Sequence, residues 1–272
     1  MRRFHDTIRA KMGAHSGTII RFLNECEISD WSDLTKSNLN EFRDLVYERV
    51  AQSSARTYFA EFKAFLARYE DDIDFCKDYS TILRAKNEKP IKVFLTIKDL
   101  EKLERVEVKS EVEQYVLDEF LIGAYTGMRI SDAMEVSEEN MSNGYLSYVS
   151  IKTNIQAVVP LKPGISERIM RVQSNEGVSL AGYNKALRRL AKRVGLNEKV
   201  KVFKGGEHLK GEKWEYVSSH TARISFATNL SILGVPIVDI AKLMGHKDIQ
   251  TTMRYIVNTK ANISERAMKF FQ

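Results

Sequence analysis

The chain has 272 residues, 43% of them hydrophobic, which is enough for two modest domains, each with its own core. Its 42 Lys+Arg against 36 Asp+Glu give a formal net charge of +6 and a pI near 9.1, a balance that fits a polyanionic partner without requiring one. No run is apolar enough for a membrane span or a secretory leader, and Cys26 and Cys76 lack metal-ligand or CxxC spacing, so a cytoplasmic protein without membrane contacts is expected.

Residues 1–85 are predicted to be a helical domain. Ile19, Ile20, Phe22 and Leu23 form one apolar group, and Leu39, Phe42, Leu45 and Val46 a second. Tyr58, Phe62, Phe65, Leu66 and Tyr69 form a third at helical spacing and are read as core rather than as a base-stacking platform. Thr35 or Ser37 is suited to cap the second helix. Arg43, Arg49, Arg56 and Lys63 fall on the remaining faces, as solvated charge or as phosphate contacts. From Arg84 to Lys92 the chain is polar, basic and interrupted by Pro90, so a linker is placed at 86–93, with Lys86 and Lys89 as further candidate DNA contacts.

A second domain is expected over 94–272. Thr96, with Asp99 three residues on, marks a helix start. Val116, Leu117, Phe120, Leu121 and Ala124 describe a buried helix that stops at Gly127, so Arg129 opens the next one. Asp132 shares a face with Arg129 and either holds an arginine or lies at the surface. A β-rich stretch follows, in which one run reaches Ile151, Lys152-Thr153-Asn154 turns, and Ile155 to Val159 returns. Lys152 sits near that hairpin's tip. Lys185, Arg188, Arg189, Lys192 and Arg193 surround Ala186, Leu187, Leu190 and Val194 in a basic amphipathic helix, a candidate DNA-facing element. Lys199 to Trp214 reads as a mobile hairpin carrying Lys201, Lys204, Lys210 and Lys213, with His208 at the surface. A helix starting near Ser218 or Ser219 puts His220 and Arg223 on one face. Pro236 opens a helix through Ile237, Ile240, Ala241 and Leu243 that Gly245 closes. His246 begins the next helix, and Tyr255 follows nine residues later.

Two guanidinium groups, two imidazoles, an ammonium and a phenol suit one reaction: breaking a phosphodiester with a tyrosine nucleophile, without metal or other cofactor. The attacked phosphate gathers charge on its non-bridging oxygens, so fixed donors must face it. Arg129 and Arg223 supply planar forks that stay charged and grip two oxygens at once. A tyrosine hydroxyl attacks near neutrality only when a base takes its proton or cations stabilise the phenolate, roles open to His220 and His246. The leaving 5′-hydroxyl needs a proton donor, which Lys152 provides if neighbouring arginines lower its pKa.

These boxes resemble the tyrosine recombinases, also called phage integrases. The likeness runs through Thr126-Gly127-Met128-Arg129-Ile130-Ser131-Asp132, Ile151-Lys152-Thr153 and His220-Thr221-Ala222-Arg223. It continues through Leu243-Met244-Gly245-His246 to Thr251-Thr252-Met253-Arg254-Tyr255, covering roughly residues 94–260. One departure is Asn154, where many family members carry glycine; asparagine tolerates left-handed turns, so the difference is mild. The resemblance implies a mainly α fold with a small antiparallel sheet, arranged as a C-shaped clamp. An N-terminal helical, SAM-like core-binding domain faces a C-terminal α+β catalytic domain. It implies Tyr255 as nucleophile with Arg129, Lys152, His220, Arg223 and His246 around it, Asp132 in support, and DNA contacts from the basic residues above. It implies site-specific recombination of double-stranded DNA through a 3′-phosphotyrosine, for integration or excision of a phage or mobile element. The alternatives are a Xer-like dimer resolvase, a DNA invertase, a relaxing enzyme, or a regulator that binds DNA without cleaving it. A tetramer on paired sites is implied, with the apolar stripe at Ile263, Ala267 and Phe270-Phe271 docking on a neighbour, and with accessory DNA-bending or directionality proteins as possible partners.

Overall fold

The computed structural model describes residues 4–85, 91–173, 178–204 and 207–257, together with Ser264 and Met268. Contacts within the chain define two units, Met1–Pro90 with Phe203–His208, and Ile91–Val202 with Leu209–Gln272. The expected linker residues 86–90, including Lys86 and Lys89, lie outside the described residues, as does most of the tail.

The first unit is helical: α1 (Phe4–Lys11), α2 (Ser16–Glu25), α3 (Lys36–Arg49), α4 (Gln52–Leu66) and α5 (Tyr79–Ile82). The three apolar groups expected from spacing supply most of the inner faces of α2, α3 and α4, with Leu45 and Tyr58 only partly buried and Tyr69 beyond the end of α4. Phe42 meets Phe62 at 5.4 Å and Phe59 at 6.2 Å, so the aromatic residues of α4 form core. Thr35 caps α3, its hydroxyl accepting from Asn38 N at 3.2 Å. Helix α1 gave little sequence signal because only Phe4 and Ile8 of its eight residues are buried.

The second unit is built round α7 (Glu111–Thr126), which α6 (Ile97–Glu104) precedes and α8 (Ile130–Ala133) follows. The strands β1 (Met141–Ser142), β2 (Tyr145–Val149) and β3 (Gln156–Pro160) form an antiparallel sheet in that order. Then come α9 (Ile165–Gln173), α10 (Leu180–Arg193), the paired β4 (Lys199–Lys204) and β5 (Glu207–Glu212), α11 (Ser219–Ile232), α12 (Ile237–Leu243) and α13 (Ile249–Met253). Helix α7 packs on α9, α10 and α11 and is buried nearly all round. Two of its buried carboxylates are satisfied from neighbouring helices: Asp118 by Arg168 and by Arg171 (2.7 Å), Glu113 by Arg193 (2.8 Å). Gly127 ends it with φ +71°, a left-handed conformation favoured by glycine. A side chain there would also strike the Phe226 ring, 2.5 Å from an added Cβ.

Three expectations need correction. Helix α13 starts at Ile249 behind an Asp248 cap, so His246 lies ahead of it in the loop after α12, its backbone N–H donating to Ala241 O (3.0 Å). The first strand of the hairpin ends at Val149, not Ile151, because Ser150 Oγ and Ile151 N both donate to the Asp132 carboxylate (3.1 Å each) and leave the ladder. Lys213 is not a free lysine of a mobile hairpin; it is buried and paired with Asp99 (2.7 Å) and Glu198 (3.3 Å). Asn154 turns the chain with φ +53°, the geometry that its replacement of glycine required.

Candidate active site

Four segments of the second unit converge on one cleft of about 530 Å³, lined among others by Arg129, Lys152, His220, Arg223 and Tyr255. Each arrives by a local rule. The left-handed stop at Gly127 releases the chain from α7, and Arg129 becomes the N-cap residue of α8. One turn on, Asp132 is fully buried, 3.6 Å from Arg129 Nη1. Ser150 completes the frame, accepting from Arg129 Nη1 at 2.7 Å while donating to Asp132. Charge-assisted contacts of this kind fix the guanidinium plane before any ligand arrives.

Lys152 stands exposed on the turn that follows. The turn itself is held: Asn154 N donates to Ser150 O (2.8 Å), and Thr153 Oγ1 donates to Gly245 O (2.8 Å) beside His246. The lysine is therefore carried on a pinned base.

Ser218 and Thr221 form a capping box that starts α11, which presents His220 to the cleft and Arg223 inward. Arg223 is 5% exposed, and its Nη1 donates to Gly127 O. Its Nη2 donates to His246 Nε2 at 2.8 Å. An imidazole nitrogen that accepts from a guanidinium carries no proton, so the His246 proton sits on Nδ1 and is donated to Thr252 Oγ1 at 2.9 Å. Burial first, then the Arg223 and Arg129 cations, push the His246 pKa down to about 4. Arg223 keeps one buried donor, Nε, without a hydrogen-bond partner. His220 lies in the same field; desolvation, then Lys92 and Arg223, lower its pKa.

Tyr255 lies between these groups. Its ring centroid is 4.9 Å from that of His220, 5.2 Å from that of His246, and 5.2 Å from the Arg223 guanidinium carbon. Thr228 on α11 anchors its backbone, donating to Tyr255 O (3.3 Å) and accepting from Val257 N (3.0 Å). The six residues singled out for catalysis thus stand together, with Asp132 behind Arg129.

The remaining predicted contacts lie elsewhere. Lys185, Arg188 and Arg189 line a separate groove along α10 with Lys192, whose ammonium lies 4.8 Å above the Trp214 ring. Arg188 Nε donates to Val217 O (3.1 Å) and Arg189 lies 3.7 Å from Glu113, so two of these three are partly engaged within the protein. In the first unit Arg43 bonds Asn40 and Asp44, Arg49 faces Glu25 at 3.8 Å, Arg56 is exposed and Lys63 half-buried. Sequence reading passed over Ser150 and Thr252, which orient Arg129 and His246, because isolated hydroxyl residues carry no spacing signal. It also passed over the buried Glu119 and Tyr183, which line the inner end of the cleft.

Comparison with known proteins bears on this arrangement. The sequence profile of the phage integrase family matches residues 106–262. The tyrosine recombinase XerC of Natranaerobius thermophilus is 24% identical over 92% of this chain and 87% of its own length. XerC of Syntrophus aciditrophicus is 22% identical over 91% and 84%. Among solved structures, a Tn1549 transposon integrase in complex with a circular intermediate DNA superposes with a TM-score of 0.69 at 17% identity, covering 97% of this chain and 96% of that one. A lambda integrase dimer bound to a COC′ core site gives 0.66 at 16% identity, covering 95% and 96%.

Proposed function

The chain belongs to the phage integrase family, and from that premise we propose that it is a site-specific DNA recombinase that cuts and rejoins strands through Tyr255. The observation that carries this reading is the placement of the Tyr255 ring, within about 5 Å of two imidazoles and a buried guanidinium whose Nε lacks a partner.

In the first step Tyr255 Oη bonds to the scissile phosphorus and the bond to the 5′-oxygen breaks, leaving a 3′-phosphotyrosine. The phenolic proton leaves toward His220, whose ring has no hydrogen bond among the described residues. His246 is a poor proton acceptor, since its Nε2 already takes a bond from Arg223; its work is to orient that arginine. Arg129 and Arg223 hold the non-bridging oxygens, and Lys152 gives a proton to the departing 5′-oxygen. The reverse attack by a partner's 5′-hydroxyl conserves the number of phosphodiester bonds, so no ATP, metal or other cofactor is consumed.

On this reading residues 1–85 serve as a core-binding domain for double-stranded DNA and residues 94–272 as the catalytic domain, with 86–93 as the linker. Arg43, Arg49, Arg56, Lys63, Lys86, Lys89, Lys185, Arg188 and Arg189 contact the duplex. Four protomers act on two sites, with accessory DNA-bending or directionality proteins as further partners. We place the activity in integration or excision of a phage or mobile element. Dimer resolution is the second reading, favoured by the likeness to XerC over nearly the whole chain.

Tyr255→Phe keeps the ring and loses the oxygen, so it should bind DNA normally and form no covalent adduct on a nicked suicide duplex, with the wild-type reaction unchanged by EDTA. Adduct surviving in the Phe variant would reassign the nucleophile.

A further inference from the structure

Lys92 carries the inference. It reads as an ordinary lysine of a polar, basic stretch, yet its half-buried side chain turns into the cleavage centre. Its Nζ donates to Arg254 O at 2.5 Å, the carbonyl immediately before Tyr255, and stands 5.8 Å from the centre of the Tyr255 ring. The segment bearing it is fixed to α11: Leu95 N donates to Ser225 Oγ (2.8 Å), and Asn229 Nδ2 donates to Leu95 O (2.9 Å). Lys92 is thus held against the nucleophile's own backbone.

We propose that Lys92 is a positioning residue for Tyr255, acting through a hydrogen bond to the Arg254 carbonyl and a fixed positive charge beside the phenol. The inference rests on Tyr255 being the nucleophile. An ammonium at this distance favours the developing phenolate and is worth more in a partly desolvated cleft than in water. The surroundings agree: burial, then Arg254, lower the Lys92 pKa, and Lys92 in turn helps lower that of His220. A plainer role exists, since a lysine on a carbonyl near a helix C-terminus stabilises that end of α13 and nothing else. The two roles separate by variant.

Three variants, Lys92→Arg, Lys92→Gln and Lys92→Met, are compared with wild type on a nicked duplex carrying the site recovered by wild-type protein from a random duplex library. Adduct per single turnover is followed between about pH 6 and 9, where the rise of rate with pH reports proton loss in the centre. Thermal stability and duplex affinity are measured alongside. The groups facing Tyr255 that also shape this profile are His220 and Arg223 from α11, His246 ahead of α13, and Arg254, with Arg129 and Lys152 across the cleft. Lys92→Met should cleave about tenfold slower near neutrality, with the rise displaced to higher pH and affinity changed little. Lys92→Gln, which keeps a donor but no charge, should retain the displaced profile, and Lys92→Arg should restore it. A Lys92→Met enzyme with the wild-type profile overturns the proposal, as does equal loss in all three variants without displacement. Adduct that persists in Tyr255→Phe removes its basis instead, and is told apart by the wild-type and Lys92→Arg enzymes still cleaving.

Discussion

Asp132 makes contact with three other groups of the cleft wall: Arg129, the Ser150 hydroxyl and the Ile151 amide. The sequence disclosed the first of these, because residues three apart share a helix face. It was silent on the other two, which depend on where a hairpin eighteen residues downstream comes to rest. Arg223 shows the same limit. Its spacing from His220 is visible in the chain, but its bonds to Gly127 and His246 span 96 and 23 residues. These contacts make the two arginines poor candidates for conservative exchange. Arg129→Lys and Arg223→Lys retain charge but lose the planar fork, and in Arg223→Lys the His246 nitrogen loses its fixed donor. Each is expected to lower the single-turnover cleavage rate by about a hundredfold or more while changing duplex affinity little. Wild-type rates in either variant would remove that arginine from the phosphate clamp.

The strongest helices of the chain differ in how they announced themselves. Helices α2 to α4 were legible because each buries one face, which leaves a periodic apolar pattern. In α7 the apolar core and the stop at Gly127 were visible, but Glu113, Asp118 and Glu119 look like solvated charges in sequence and are buried in the fold. Two of them find arginines. Glu119 does not; Tyr183 faces it, one carboxylate oxygen has no partner, and desolvation raises its pKa from 4.5 to about 7. A carboxyl whose folded pKa is raised binds its proton more tightly in the fold than in the unfolded chain. Stability from this source is therefore complete below about pH 4.5 and is lost as pH rises through 7, amounting to about 3 kcal/mol over that span. His246 works in the opposite sense, its low pKa costing stability as pH falls from 6.5 toward 4. The difference between wild type and Glu119→Gln isolates the first contribution. In urea unfolding the glutamine variant should gain on wild type from about pH 5 to pH 7 and level off above, and two parallel curves would place the ionised carboxylate in a solvated site.

At the scale of the molecule, two units, a mainly helical fold and a small antiparallel sheet follow from patterning and turn residues, whereas the meeting of four segments at one cleft does not. The family likeness supplied that expectation, since no local rule links residue 129 to residue 255. Assembly stands at the same scale. The apolar stripe at Ile263, Ala267 and Phe270-Phe271 falls outside the described residues, although Met268 within the tail is 58% exposed. On the proposal that this tail docks on a neighbouring protomer, deleting residues 262–272 should leave single-site binding nearly intact and abolish synaptic complexes on a native gel. A truncated protein that still pairs sites and completes recombination would make the tail a cover for its own domain.

The hydrogen bond from Arg223 to the Gly127 carbonyl, with that from Thr153 to the Gly245 carbonyl, has a consequence for the timing of biosynthesis. Both join residues more than ninety positions apart. Contacts of such long sequence separation form only after the intervening chain has been made and has closed on itself. A chain synthesised as far as the first unit already holds that unit's core, while Arg129 and Lys152 still await Arg223, His246 and Tyr255 from residues made later. The cleft is thereby left unassembled in any chain that stops before Tyr255. A chain that stops earlier can fold in part but lacks the Tyr255 phenol, and one that stops before Arg223 lacks the second guanidinium as well.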